Sequence, residues 1–231
     1  MISESNISVK PNVMDGLAIE QMRPGDWAQV KTIYLEGIAT GHATFEVDAP
    51  SWEAWDAAHL RFARLVARDG QIISGWAVLS PISRRQAYAG VAEVSVYVSA
   101  EHRNAGFGRA LLEALIAESE RNGIWMLQAV VFPENAATIA LHLRCGFREV
   151  GRRERIGRLD GEWRDTILLE RRSAPVLAAC ERADNLIEGS GRVLCSRGRD
   201  VVELLVDPPA ILPMASFESE VSSMAALPDG G

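Results

Sequence analysis

Ala92-Glu93-Val94-Ser95-Val96-Tyr97-Val98 has the β-branched and aromatic bias of a strand, and its alternation puts Glu93, Ser95 and Tyr97 on one face. A short gap leads to Arg103-Asn104-Ala105-Gly106-Phe107-Gly108-Arg109, an R-x-x-G-x-G turn that runs straight into residues 110–119. There Leu111, Leu112, Leu115, Ile116 and Ser119 recur at helical spacing, so the glycines stand at a helix N-terminus. Backbone N–H groups at that position lack intrahelical partners and lie at the positive end of the helix dipole, which makes a phosphate or pyrophosphate their natural guest. Glycine lets the ligand approach the backbone because no Cβ intervenes.

Working outward toward the N-terminus, residues 81–90 form a loop carrying Arg84, Arg85 and Tyr88. Before it, residues 64–68 and 72–80 read as two strands joined at Asp69-Gly70, a hairpin signal. Ser51 is placed to cap a helix through Trp52, Trp55 and His59. Asp26 is placed to cap an earlier one that carries Val30, Ile33, Tyr34 and Ile38 on one face. Between those helices, residues 41–45 form a loop facing the mouth of the sheet. Residues 17–23 read as a first strand, and the polar residues 1–16 are expected to be disordered.

Toward the C-terminus, Gly123 stops the long helix, and residues 125–132 are the most apolar strand, as a buried sheet centre requires. Pro133-Glu134-Asn135 turns into a helix that ends at Cys145 before Gly146. Two last strands, near 147–158 and 162–172, meet at Asp160-Gly161, a second hairpin signal. The order β, α, α, β, β, β, α, β, α, β, β describes an α/β (α+β) domain over residues 17–172: a mixed sheet with helices on both faces. Residues 173–231 form a C-terminal extension, unassigned and partly disordered, with one expected strand at 200–206 that either docks on the domain or stays loose.

The formal charge of −7 and pI near 5.2 give no electrostatic case for nucleic acid or an anionic membrane. No signal peptide or membrane-length apolar run is visible, so the expected place is the cytoplasm. Three cysteines (Cys145, Cys180, Cys195) without ligand spacing suit a reducing compartment, and the four histidines form no metal-binding pair, so no metal is expected.

The strand, glycine turn and helix resemble the acetyl-CoA-binding motif of the GCN5-related N-acetyltransferases (GNAT). Ala87-Tyr88, Ala92-Glu93, Ser95 to Val98, Phe132-Pro133-Glu134-Asn135, Leu141-His142, Cys145-Gly146-Phe147 and Gly161 to Asp165 recur in order, and together they resemble the phosphinothricin N-acetyltransferase branch. That resemblance covers 17–172 and implies a GNAT fold, acetyl-CoA as cosubstrate and a homodimer. It further implies acetylation of the α-amino group of a small acidic amino-acid analogue of phosphinothricin, methionine sulfoximine or arsinothricin type, for detoxification or antibiotic resistance. Another small amine, a protein N-terminus, or a non-catalytic acetyl-CoA-binding module are the alternatives.

Carried onto this sequence, the resemblance makes Glu93 the base that deprotonates the amine. It places the cofactor on Val96, Val98, Arg103, Asn104, Gly106, Phe107, Gly108, Arg109 and Asn135, the last of these being also a natural helix cap. Many members of the superfamily have a tyrosine where His142 stands. An imidazole there can protonate the leaving thiolate, relay a proton from the amine, or only hydrogen-bond the substrate. Arg85 aligns with a family arginine and would anchor an anionic group with its planar fork, with Arg84 either assisting or solvated. Thr44, Phe45 and Tyr88 are expected to wall the pocket. Trp163 and Arg164 would reach the same mouth or a dimer partner.

Overall fold

Alternation along the strands sends apolar side chains to both faces, so the sheet must be covered on both. Leu65, Ala67, Ala77 and Leu79 belong to one buried cluster; Val66, Trp76 and Val78 belong to a second on the opposite face. The computed structural model describes residues 18–181, 192–197 and 200–205, and the first of these spans contains the expected elements in the expected order. They are β1 (Ala18–Gln21), α1 (Trp27–Ala39), α2 (Trp52–Ala58), β2 (Leu65–Asp69), β3 (Ile72–Pro81), β4 (Val91–Val98), α3 (Phe107–Arg121), β5 (Met126–Val131), α4 (Ala136–Arg144), β6 (Arg148–Leu159) and β7 (Glu162–Arg172).

The seven strands lie in the order β1-β2-β3-β4-β5-β7-β6, with β4 and β5 parallel and every other pair antiparallel. Leu111, Leu112, Leu115 and Ile116 of α3 close the first cluster. Val30 and Ile33 of α1 and Trp55 of α2 close the second.

The β4–β5 pair is short. Val91, Ala92 and Glu93 pair with Met126, Leu127 and Gln128, and the register ends there although β4 continues to Val98 and β5 to Val131. Along its other edge β5 stays bonded to β7 over its whole length, so β5 bends away from β4 as a unit with its neighbour. A wedge opens at Glu93, and alternate backbone N–H and C=O groups of Val94–Val98 point into it without a strand partner.

Three local readings change. Asp26 does not cap α1: it lies in a 3-10 turn, Pro24–Asp26, and its carboxylate instead accepts from Arg68 Nη2 at 2.7 Å and the Arg23 N–H at 2.9 Å. The long helix starts at Phe107 and not at Ala110, so the glycines form its cap and first turn. The chain past Ser173 continues as a helix, α5 (Ala174–Glu181), and the strand expected at 200–206 is β9 (Asp200–Leu205), paired antiparallel with β8 (Arg192–Arg197). The expectation for residues 1–16 and the remainder of the tail lies outside the described residues. Among the described residues no helix is long and apolar enough to cross a membrane.

Candidate active site

The wedge between β4 and β5 is the floor of a cleft of about 880 Å³ that runs from Glu93 to the start of α3. At the α3 end, Gly106 caps the helix at φ +88°, a left-handed conformation that glycine adopts without strain. The N–H groups of Arg109 and Ala110 bond back to the Gly106 carbonyl at 3.1 Å. Those of Phe107 and Gly108 have no protein acceptor among the described residues. A Cβ on Gly108 would stand 3.3 Å from Leu141 Cδ2 and 3.5 Å from Val98 Cγ2, so its absence lets the helix start settle onto the end of β4. Arg103, Arg109 and Arg144 line the cleft around these free amides, although Arg109 also holds Glu113 at 2.7 Å. Free amides, the helix dipole and three guanidinium groups together make a receptor for a multiply charged phosphate ester.

At the other end, Gln128 Nε2 donates to Glu93 Oε2 at 2.7 Å, which follows from their pairing as the last rung of the β4–β5 register. The bond fixes the rotation of the carboxylate and leaves Oε1 for a ligand. His142 is buried, wedged edge-on against Phe147 with ring centroids 4.9 Å apart. Its Nδ1 lies 2.8 Å from the Thr138 carbonyl, which can only accept, so Nδ1 carries the proton and Nε2 is a bare lone pair. Burial pushes its pKa down, which keeps the ring neutral. That Nε2 and the Thr166 hydroxyl are both buried, both belong to residues lining the cleft, and have no partner among the described residues. Leaving such groups unpaired costs about 1–3 kcal/mol each.

The loop between α1 and α2 roofs the cleft and is tied down from outside. Arg164 donates to the Gly41 carbonyl, His42 Nδ1 and Glu134 Oε2, each at 3.2 Å, while its guanidinium sits 4.4 Å over the Phe132 ring. Phe45 packs edge-on to Phe132 at 4.7 Å and occupies the space that a side chain on Gly157 of β6 would take. Both polar ends of Asn135 are used by the protein: Oδ1 caps α4 at Thr138 N, and Nδ2 reaches the His42 carbonyl at 3.2 Å. Arg164→Ala frees the roof on one side. For the acetyl transfer that the sequence resemblance implies, the expected result is a severalfold rise in the KM of the acceptor amine with little change in CoA affinity by calorimetry, because the arginine touches the loop and not the helix start. A larger effect on CoA would move Arg164 to the other end of the site.

Of the residues expected from sequence, Glu93, Val96, Val98, Arg103, Asn104, Gly106, Gly108, Arg109, Asn135, His142, Thr44 and Phe45 line this one cleft. The Phe107 side chain does not: its ring packs into the first core cluster and against His102, with centroids 5.2 Å apart, which leaves its N–H as its one contribution at the helix start. Arg84, Arg85 and Tyr88 stand exposed on the β3–β4 loop, and Trp163 is exposed under Arg158; none of the four lines the cleft. Sequence reasoning missed Gln128, Thr166 and Arg144. Gln128 carried a signal, as a polar residue inside the most apolar strand.

A family model described as "Acetyltransferase (GNAT) family" matches residues 27–147. Over 161 residues the chain is 33% identical to the phosphinothricin N-acetyltransferase of Alcaligenes faecalis, covering 66% of this chain and 81% of that one. It is 30% identical to the L-methionine sulfoximine/L-methionine sulfone acetyltransferase of Pseudomonas paraeruginosa, covering 67% and 93%. A GNAT superfamily phosphinothricin acetyltransferase from Sinorhizobium meliloti, solved in complex with acetyl-CoA, superposes with a TM-score of 0.61 at 31% identity, covering 68% of this chain and 88% of that one.

Proposed function

The chain belongs to the acetyltransferase (GNAT) family and is an acyltransferase, and from that premise we propose that it uses acetyl-CoA to acetylate the α-amino group of a small non-protein amino acid, of the kind its relatives are named for, as a detoxification step. One observation carries this reading: a wedge that opens at a held carboxylate, Glu93, and ends at partnerless amides on a helix start. That is the layout acyl transfer to an amine requires, with a proton acceptor at one end and an anchor for the phosphates of the acyl donor at the other.

Acetyl-CoA, when bound, supplies an acetyl thioester; the remaining chemistry belongs to the chain. An α-amine is mostly protonated at neutral pH and cannot attack until it loses a proton. The free oxygen of Glu93 is the acceptor for it, with Gln128 keeping the carboxylate turned toward the cleft. Backbone N–H groups of Val94–Val98 that face the wedge are the donors for the oxygen on which charge develops, and they need no rearrangement because no strand occupies them. His142 presents a lone pair, so it serves as a resting proton acceptor. It can return a proton to a thiolate only after Nε2 has received one, which makes it a relay and not a resident acid.

The expectation that Arg84 and Arg85 hold an acidic group on the acceptor gains no support within one chain, because neither lines the cleft. A thiol-release assay with acetyl-CoA across phosphinothricin, methionine sulfoximine, methionine sulfone, arsinothricin, spermidine and a peptide amine tests the proposal. Turnover with at least one of the amino acids is expected. Release confined to spermidine or the peptide, or no release above the rate without amine, overturns it.

A further inference from the structure

The roof over the cleft is pinned from outside at a histidine. Arg164 Nη2 lies 3.2 Å from His42 Nδ1, and a guanidinium can only donate, so Nδ1 is a bare lone pair and the ring proton sits on Nε2. The same nitrogen of Arg164 reaches Glu134 Oε2 at 3.2 Å. Its Nη1 donates to the Gly41 carbonyl at 3.2 Å, and Asn135 Nδ2 donates to the His42 carbonyl at 3.2 Å. Of these contacts, the bond to the imidazole is the one whose acceptor can be abolished by a proton in the neutral range.

What hangs on it is the wall of the cleft. Thr44 and Phe45 follow two and three residues after His42, and both line the cleft. Phe45 packs edge-on against Phe132 at 4.7 Å, and Phe132 carries the Arg164 guanidinium over its ring at 4.4 Å. Arg164 thus bears on the roof twice, through the His42 ring and through the ring that Phe45 leans on. None of these bonds involves the start of α3, where the free amides lie.

Protonation turns the His42 contact from attraction to repulsion. An imidazolium has N–H donors at both nitrogens and a positive charge, so it offers the guanidinium no acceptor and repels it. Two charged groups face His42 among the described residues: Arg164 from β7 and Glu134 from the turn after β5. Its own backbone N–H and then Arg164 hold the Glu134 carboxyl below the usual carboxylate range, so it stays ionised when the imidazole takes its proton. The charged ring is drawn to that carboxylate and competes with Arg164 for it. The seated roof needs the neutral ring, so seating is complete above the range in which imidazoles titrate, about pH 5 to 8, and is lost as pH falls through it. The bonds to the two carbonyls persist, and His42 is exposed to a screening solvent, so the roof loosens without leaving.

We propose that His42 is a positioning residue whose neutral imidazole, held by Arg164, seats the roof over the acceptor amine, and that its protonation weakens acceptor binding while leaving acyl-donor binding alone. The part that concerns acceptor and donor rests on the acetyltransferase reading; the latch itself rests on the contacts of Arg164.

The test uses the full chain with whichever amino acid of the thiol-release panel turns over, and follows three forms from about pH 8 to about pH 5.5, across the imidazole range. In His42→Asn the amide oxygen is bonded to Cγ as Nδ1 is, so it accepts from Arg164 at every pH; His42→Ala accepts at none. The acceptor KM of the wild type is expected to match that of His42→Asn at the alkaline end. At the acid end it should climb about threefold or more above it, toward that of His42→Ala. Protonation of Glu93 and of the amine acts on all three forms alike, so the ratio between forms is what is read. The KM for acetyl-CoA should be the same in all three. Amide hydrogen exchange over residues 41–46, corrected for intrinsic rates, should show the wild type passing from the behaviour of His42→Asn to that of His42→Ala with no substrate present. Parallel KM profiles for the wild type and His42→Asn overturn the latch, as does a His42→Ala that matches the wild type at the alkaline end. Absence of thiol release with every amino acid overturns the acetyltransferase reading, and the exchange profiles then decide the latch by themselves: it stands if they cross and falls if they stay parallel.

Discussion

Glu93→Gln lowers kcat by about 10²–10⁴-fold near neutral pH, the range expected when a positioned proton acceptor is lost. The change is nearly isosteric, and the amide oxygen can still take the hydrogen bond that Gln128 Nε2 gives to Glu93 Oε2 at 2.7 Å. The wedge, whose register ends at this residue, should therefore keep its shape. What disappears is basicity alone. Because the missing step is deprotonation of the amine, the deficit should narrow as pH rises toward the amine's own pKa, where the nucleophile forms without help. The KM for acetyl-CoA should be unaffected, since the phosphate end of the cleft is formed by a different element. A full pH–rate profile of wild type and variant decides the matter. A deficit of constant size from neutral to alkaline pH would assign Glu93 a structural task, and undiminished turnover would remove it from the mechanism.

Much of this arrangement could be seen in the linear sequence because it is local. Alternation along residues 92–98 sets Glu93, Ser95 and Tyr97 on one face, and the structure puts Ala92, Val94, Val96 and Val98 with the first core cluster and Tyr97 with the second. The glycine turn before a helical repeat places free amides at a helix start, and the structure has them there. Ser51 and Asn135 cap the helices they precede. What stayed hidden depends on pairs of segments far apart in the chain. The divergence of β4 from β5 is a property of where their register ends, and neither strand encodes that alone. The same holds for Gln128, whose task exists only because it falls opposite Glu93. Asp26 has the composition of a cap, but Arg68, 42 residues on, draws its carboxylate into an ion pair. The direction of proton transfer at His142 turns on one carbonyl, that of Thr138, which fixes the tautomer. The placing of Arg85 in the pocket comes from its alignment with a family arginine, and in a single chain the loop holds it and Arg84 exposed, away from the cleft.

Gly106→Val is expected to weaken CoA binding at least tenfold while leaving the fold in place. Two effects act together. At φ +88° a β-branched residue is strained by about 1–3 kcal/mol, and relief of that strain rotates the first-turn amides away from the cleft. Its side chain also stands where a phosphate must approach the free N–H groups of Phe107 and Gly108. Each tenfold loss corresponds to about 1.4 kcal/mol, so losing one charge-assisted contact suffices for the expected change. Strain alone would lower stability without touching affinity, and a second glycine separates the two. Gly161, at the β6–β7 turn, has nearly the same φ of +83° and has nothing within 4 Å of a built Cβ. Gly161→Val should therefore lower Tm by a similar amount and leave the calorimetric Kd for CoA unchanged. If both variants lose affinity alike, the effect of Gly106 is general destabilisation. If Gly106→Val binds CoA as wild type does, the start of α3 is not where the phosphates are held.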